Sequence, residues 1–162
     1  MHWKRLRARV VYVPSLMWNI MLARCLRHRD WWNRVDQHVL LGALPFPRDV
    51  EKLSSEGVSA VVNTCQEYAG PVSAYKNFGI RQLRIPTIDF TPPALQDIEL
   101  AVAFMNRHIA DGKTVYVHCK AGRGRSATVV MCWLIQDRQI SASDAQQWIR
   151  KFRPHINDLV NR

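Results

Sequence analysis

Val115-Tyr-Val-His118-Cys119-Lys-Ala-Gly-Arg-Gly-Arg125-Ser126-Ala-Thr-Val-Val130 is the stretch on which the reading of this chain turns. A β-branched and aromatic run leads into a basic turn holding Gly122 and Gly124, and an apolar segment suited to a buried helix follows. Cys119 and Arg125 bracket five residues, which lets the loop curl round one tetrahedral oxyanion. The N–H groups of Lys120 to Arg125 are expected to point inward, the following helix adds its positive end, and Arg125 offers a bidentate fork. The same field favours a thiolate. Cys119 should therefore ionise below the ordinary thiol range and act as a nucleophile, with the Ser126 hydroxyl placed to donate to its sulfur and help it leave.

Spacing alone proves little, because Cys132 and Arg138 are separated by the same five residues within Cys-Trp-Leu-Ile-Gln-Asp-Arg, a helical pattern without glycine. What sets Cys119 apart is the company of His118, Gly122, Gly124 and Ser126 between an apolar strand and an apolar helix. At His118-Cys-Lys-Ala-Gly-Arg-Gly-Arg-Ser126 the chain resembles the cysteine-dependent protein tyrosine phosphatase superfamily, whose signature is His-Cys-x5-Arg-Ser/Thr. Asp30-Trp-Trp-Asn-Arg-Val-Asp36, Val39-Leu-Leu-Gly-Ala-Leu-Pro45, Gln66-Glu-Tyr68 and Leu83-Arg-Ile-Pro-Thr-Ile-Asp89 extend the likeness to the small dual-specificity-like enzymes related to the mitochondrial phosphatidylglycerophosphate phosphatase, the PTPMT-type family. The resemblance implies a phosphomonoester hydrolase working through a phosphocysteine, with no metal or organic cofactor. It assigns catalysis to Cys119, Arg125, Asp89 and Ser126, and substrate binding to His118, Lys120, Ala121, Gly122, Arg123 and Gly124. His118 is expected to orient the cradle and not to act as a base.

A phosphoester's leaving alkoxide needs a proton, so a carboxylic acid belongs on a loop near the cradle. Asp89 is on a proline-flanked loop 30 residues before Cys119 and matches the family's general-acid loop; its bland alternative is an Asx turn capping the helix from Ala94. Glu67 and Asp36 are the runner-up acids. Where relatives tend to carry a second acid before Glu67, this chain has Gln66, which weakens a carboxylate pair, and Asp36 suits tying down the turn before Val39.

The 162 residues are 48% hydrophobic, enough for one domain with a substantial core. Four cysteines without paired or metal-ligand spacing indicate neither a disulfide framework nor a zinc site, and fit a reducing compartment. The charge of +10 is concentrated in residues 1–30, where Lys4, Arg5, Arg7, Arg9, Arg24, Arg27 and Arg29 face Asp30 alone. Between the two basic clusters, Val10 to Ala23 is apolar but interrupted by Pro14 and Asn19, and shorter than the about 20 residues a membrane span needs. Residues 1–30 thus read either as a membrane-associating or targeting segment, with Pro14 opening an interfacial helix, or as an extra helix packed on a catalytic domain of residues 31–162. Nucleic-acid binding is disfavoured, since basic residues elsewhere are scattered. The expected location is the matrix side of the mitochondrial inner membrane in a eukaryote, and the cytoplasm or its membrane face in a bacterium.

Strands are expected at Val39–Leu44, Val58–Asn63, Ile80–Ile85 and Thr114–Val117, and helices over Arg48–Ser55, Ala94–Ile109, Ala127–Ile135 and from a capping box at Ser141. Thr64–Gly79 reads as loop with one helical turn, and Pro86–Pro93 as loop. Alternation of these elements implies an α/β domain, with a mainly parallel central sheet flanked by helices and the site at the strands' C-terminal ends.

Lys120 and Arg123 add positive charge to a loop that needs only Arg125 for a monoester, which favours a substrate with more than one phosphate. With the basic, tryptophan-bearing N-terminus, this points to an anionic phospholipid, above all phosphatidylglycerophosphate. Phosphoinositides and phosphoproteins are the alternatives, along with a phosphate-binding module without turnover. A redox pairing of Cys119 with Cys65 is a minor one.

Overall fold

The protein is described from a computed structural model that covers residues 12–18, 20–21 and 30–160. Residues 12–18 form helix α1. The chain then runs β1 (Trp32–Asp36), β2 (Val39–Gly42), a 3-10 turn (Pro47–Asp49), α2 (Val50–Ser55), β3 (Val58–Cys65), α3 (Val72–Asn77), β4 (Arg81–Thr87), α4 (Leu95–Ala110), β5 (Thr114–His118), α5 (Arg125–Arg138) and α6 (Ala142–Phe152). The strand order is β1-β2-β5-β3-β4, with β1 antiparallel to β2 and the other three pairings parallel. This is the expected single α/β domain.

Two apolar layers hold the sheet. On one face Val62, Val115 and Val117 pack with Met105 of α4, Val129, Val130, Trp133 and Leu134 of α5, and Ile149 of α6. On the other, Leu40, Val61 and Tyr116 pack with Val50 and Leu53 of α2 and Tyr75 of α3. The apolar run after the cradle places α5 at the centre, and Trp133 Nε1 donates to Asn106 Oδ1 at 2.9 Å so that its one polar atom is satisfied. At Ser141 the hydroxyl accepts from Asp144 N at 3.1 Å and starts α6 as its capping residues foretell.

Two segments differ from their sequence reading. Pro86 lies inside β4, not in the following loop, because β4 is an edge strand and pairs only with β3; an edge spares a proline the ladder bond it cannot donate. Trp32–Asp36, given no strand from the sequence, is β1. Its Trp-Asn-Arg-Val-Asp run lacks clean alternation, and only Val35 is buried. The strand is formed by pairing with β2, from Trp32 opposite Gly42 to Asp36 opposite Val39.

The parallel strands all end on one edge, at Gly42, Cys65, Thr87 and His118. The loops leaving those four residues converge there, and they carry Glu67, Asp89 and the cradle.

Candidate active site

The cradle runs from Cys119 to the first turn of α5. Cys119 is buried, and its sulfur accepts from the Gly122 N–H and the Ser126 hydroxyl, each at 3.2 Å. Burial alone would push this thiol up. The Arg125 guanidinium, the Ser126 hydroxyl and the Ser126 and Arg123 N–H groups outweigh that cost and leave it below its ordinary value. Cys65, at the end of the neighbouring strand, is raised by burial and stays a thiol. Cys132, of the coincidental pair, is half-buried within α5 and also raised by burial, while Arg138 pairs with Asp36.

Gly122 is the residue that lets the loop close. Its φ is +66°, and a Cβ there would meet the Gly42 carbonyl carbon at 2.4 Å and the Arg153 guanidinium at 2.8 Å. Gly42 is confined in turn by Trp32 and Tyr116. Arg153, buried just after α6, donates through Nε to Gly122 O at 2.7 Å and through Nη2 to Ala121 O at 3.0 Å. Its Nη1 reaches Asn33 Oδ1 at 2.6 Å and Asp30 O at 3.2 Å. By gripping two loop carbonyls from behind, Arg153 turns the opposite edge of those peptides, their N–H groups, toward the cradle. Sequence reasoning passed over this residue; a basic residue just before Pro154 carries no mark distinguishing it from a surface charge.

Arg125 is buried, and its fork is taken by a carboxylate of the protein. Nη1 donates to Glu67 Oε2 at 2.9 Å and to Thr87 O at 2.8 Å, and Nη2 donates to Glu67 Oε1 at 2.8 Å. Nη2 also lies 3.1 Å from Asp89 Oδ1. Arg125 Nε has no hydrogen-bond partner among the described residues although it is buried, so this edge keeps a donor for an anion. The bidentate grip thus belongs to Glu67, which removes Glu67 from the list of acids: it orients the arginine. Asp36, the other runner-up, pairs with Arg138 and accepts from His38 N at 3.4 Å, in the β1–β2 turn away from the cradle.

Asp89 is brought to the cradle. It lines the same pocket as Cys119, pairs with the buried Lys120 ammonium and Arg125, and accepts from Phe90 N at 3.1 Å. Lys120 is held between the rings of Tyr12 and Phe90, 5.6 and 5.4 Å from their centroids. Arg123 lines the pocket while its Nε donates to His155 O at 2.8 Å. Ala121 and Gly124 also line it. His118, Gly122 and Ser126 are not on the pocket wall. His118 is fully buried behind the loop and stacked 5.6 Å from Tyr116, and burial pushes its imidazole down to about 3, so it is neutral at working pH.

A cysteine of lowered pKa under a loop of N–H donors, an arginine locked by a glutamate and an aspartate across the opening form the candidate site at the C-terminal edge of a mainly parallel α/β sheet. Comparison with known proteins narrows this. Residues 43–161 match the dual specificity phosphatase catalytic domain, and the chain belongs to that family, grouped with its PTPMT relatives. It is 38% identical over 151 residues to phosphatidylglycerophosphate phosphatase PTPMT2 of Arabidopsis thaliana, covering 91% of this chain and 66% of that protein. It is 38% identical over 159 residues to human phosphatidylglycerophosphatase and protein-tyrosine phosphatase 1, covering 93% and 79%. The chain thus spans just under two thirds of the Arabidopsis relative. The crystal structure of PTPMT1 in complex with PI(5)P superposes with a TM-score of 0.75 at 40% identity, covering 79% of this chain and 86% of that one.

Proposed function

We propose that this protein is a cysteine-dependent phosphatase that removes the terminal phosphate of an anionic membrane phospholipid, phosphatidylglycerophosphate above all. The observation that carries this is a pocket of about 440 Å³ with Cys119 at its base and Lys120, Arg123 and Arg125 in its wall. That volume suits a phosphorylated headgroup, and Arg123 adds a cation to the wall beside Lys120 and Arg125, which Asp89 and Glu67 pair. The phosphatidylglycerophosphatase activity for which the Arabidopsis and human relatives are named supports this choice.

In the proposed mechanism the Cys119 thiolate attacks phosphorus in line, forming the S–P bond as the P–O bond to the glycerol breaks. Asp89 gives its proton to the departing oxygen. In the ligand-free arrangement Lys120 and Arg125 pair with Asp89. An arriving phosphate dianion draws those cations to itself and leaves Asp89 facing the departing oxygen. In the second step Asp89 takes a proton from water, water oxygen bonds to phosphorus, and the S–P bond breaks while the Ser126 hydroxyl stabilises the returning thiolate. Residues 31–162 carry this chemistry, and residues 1–30 keep the enzyme at the membrane. Most of that segment lies outside the described residues.

The test is phosphate release, with reductant, from phosphatidylglycerophosphate, phosphoinositides and a phosphotyrosine peptide. Phosphatidylglycerophosphate is expected to give the highest kcat/KM by at least about tenfold, and Cys119→Ser to abolish release. Preference for the peptide would move the assignment to protein substrates, and preference for phosphoinositides to a different lipid class.

A further inference from the structure

The mouth of the cradle is ringed by apolar side chains that the fold leaves bare. Val13 and Met17 are 61% and 59% exposed and lie four apart on α1, which puts them on one outer face. Trp18 is 58% exposed and lines the pocket together with Phe90 and Leu159. Phe90 is 66% exposed and has φ +66°, a backbone region costly for an aromatic residue, so strain holds an apolar ring outward beside Asp89. The two arms of the rim meet over one cation, since Tyr12 of α1 and Phe90 of the acid loop both flank Lys120. Burial pushes the Tyr12 phenol up to about 12, and the negative charge of Glu67 adds to this, as expected of a side chain turned in toward the site. The inner face of α1 thus walls the pocket and its outer face meets solvent.

We propose that this rim is a bilayer-docking surface that seats the mouth of the cradle against an anionic membrane. The partner follows from charge and size. The chain carries +10, and α1 is flanked in sequence by Lys4, Arg5, Arg7 and Arg9 before it and Arg24, Arg27 and Arg29 after it, a pattern that attracts anionic headgroups. A pocket of about 440 Å³ takes a headgroup but not two acyl chains, so the chains need an apolar phase adjoining the mouth. The rim supplies that junction, and a headgroup reaches Cys119 while its chains stay in the bilayer. This deepens the phospholipid reading and rests on it.

Docking is tested by sedimenting the full chain with vesicles of phosphatidylglycerol and phosphatidylcholine that contain no phosphomonoester, and with phosphatidylcholine alone. The wild type is expected to bind the anionic vesicles at least tenfold more tightly. Val13→Ser/Met17→Ser and Phe90→Asn, the latter tolerant of positive φ, should each weaken that binding about tenfold. Val13→Ser/Met17→Ser, outside the pocket lining, should keep kcat/KM on a soluble aryl phosphate within about threefold. Val13→Trp should tighten binding while keeping kcat/KM on the soluble aryl phosphate, a pair of results that misfolding does not give. Unchanged affinity in all three variants, or equal binding to neutral vesicles, would overturn the proposal. Binding as expected without phospholipid turnover would leave docking intact and overturn the substrate assignment.

Discussion

Arg125 shows how a single residue type is divided between structure and chemistry. One pair of its donors is fixed by Glu67 at 2.8 and 2.9 Å, and its Nε faces the cradle without a partner among the described residues. Glu67→Gln keeps the shape but removes the charge that fixes the guanidinium. KM for any phosphomonoester should rise and kcat/KM fall by about 10- to 100-fold, by the same factor for an alkyl phosphate as for an aryl phosphate, because Asp89 is the proposed acid. Steady-state kinetics on both substrates would show this; a loss much larger for the alkyl phosphate would return the acid role to Glu67. His118 makes a separate, thermodynamic claim. Its folded value is depressed to about 3 by burial, against an ordinary value near 6.5, so the unfolded chain binds the proton first as pH falls. The stability in question is intact above about pH 6.5 and lost progressively toward pH 3, roughly 2 kcal/mol of it by pH 5. Urea unfolding at pH 7 and pH 5 should show that drop in the wild type and a smaller one in His118→Asn.

At the scale of elements, the cradle depends on a brace that arrives from the far end of the chain. Arg153 follows α6 and reaches back over 31 residues to Gly122 O. Arg153→Ala should lower kcat on a soluble aryl phosphate about tenfold or more and raise the Cys119 pKa toward the ordinary thiol value, read from the pH dependence of iodoacetamide alkylation. Arg153→Lys should recover part of both. A purely structural residue would lower thermal stability alone. The cradle itself was legible in the sequence, because glycines, a basic turn and flanking apolar runs are local signals. Its supports were not: Arg153's grip on the loop and the Glu67 grip on Arg125 join residues 31 to 58 positions apart, and no local pattern encodes such a distance. Pro86 failed differently. The rule that prolines leave strands assumes a paired neighbour on each side, and β4 has one.

Across the whole molecule, the alternation of strands and helices was enough to give an α/β domain, but not the order β1-β2-β5-β3-β4. The insertion of β5 between β2 and β3 sets His118 beside both Gly42 and Asn63, and it is this placement that gathers the loops of Glu67, Asp89 and Cys119. In the proposed mechanism that gathering serves one reaction intermediate, phosphate covalently held by Cys119. The direct measurement is rapid mixing of Asp89→Asn with a soluble aryl phosphate, whose good leaving group makes the first step independent of an acid while the second still lacks its base. A burst of aryl alcohol equal to the enzyme concentration is expected, with a phosphoryl group found on Cys119 by peptide mass spectrometry after acid quench. A linear time course with Cys119 unmodified, or a burst that persists in Cys119→Ser, would contradict the assignment of Cys119 as the nucleophile.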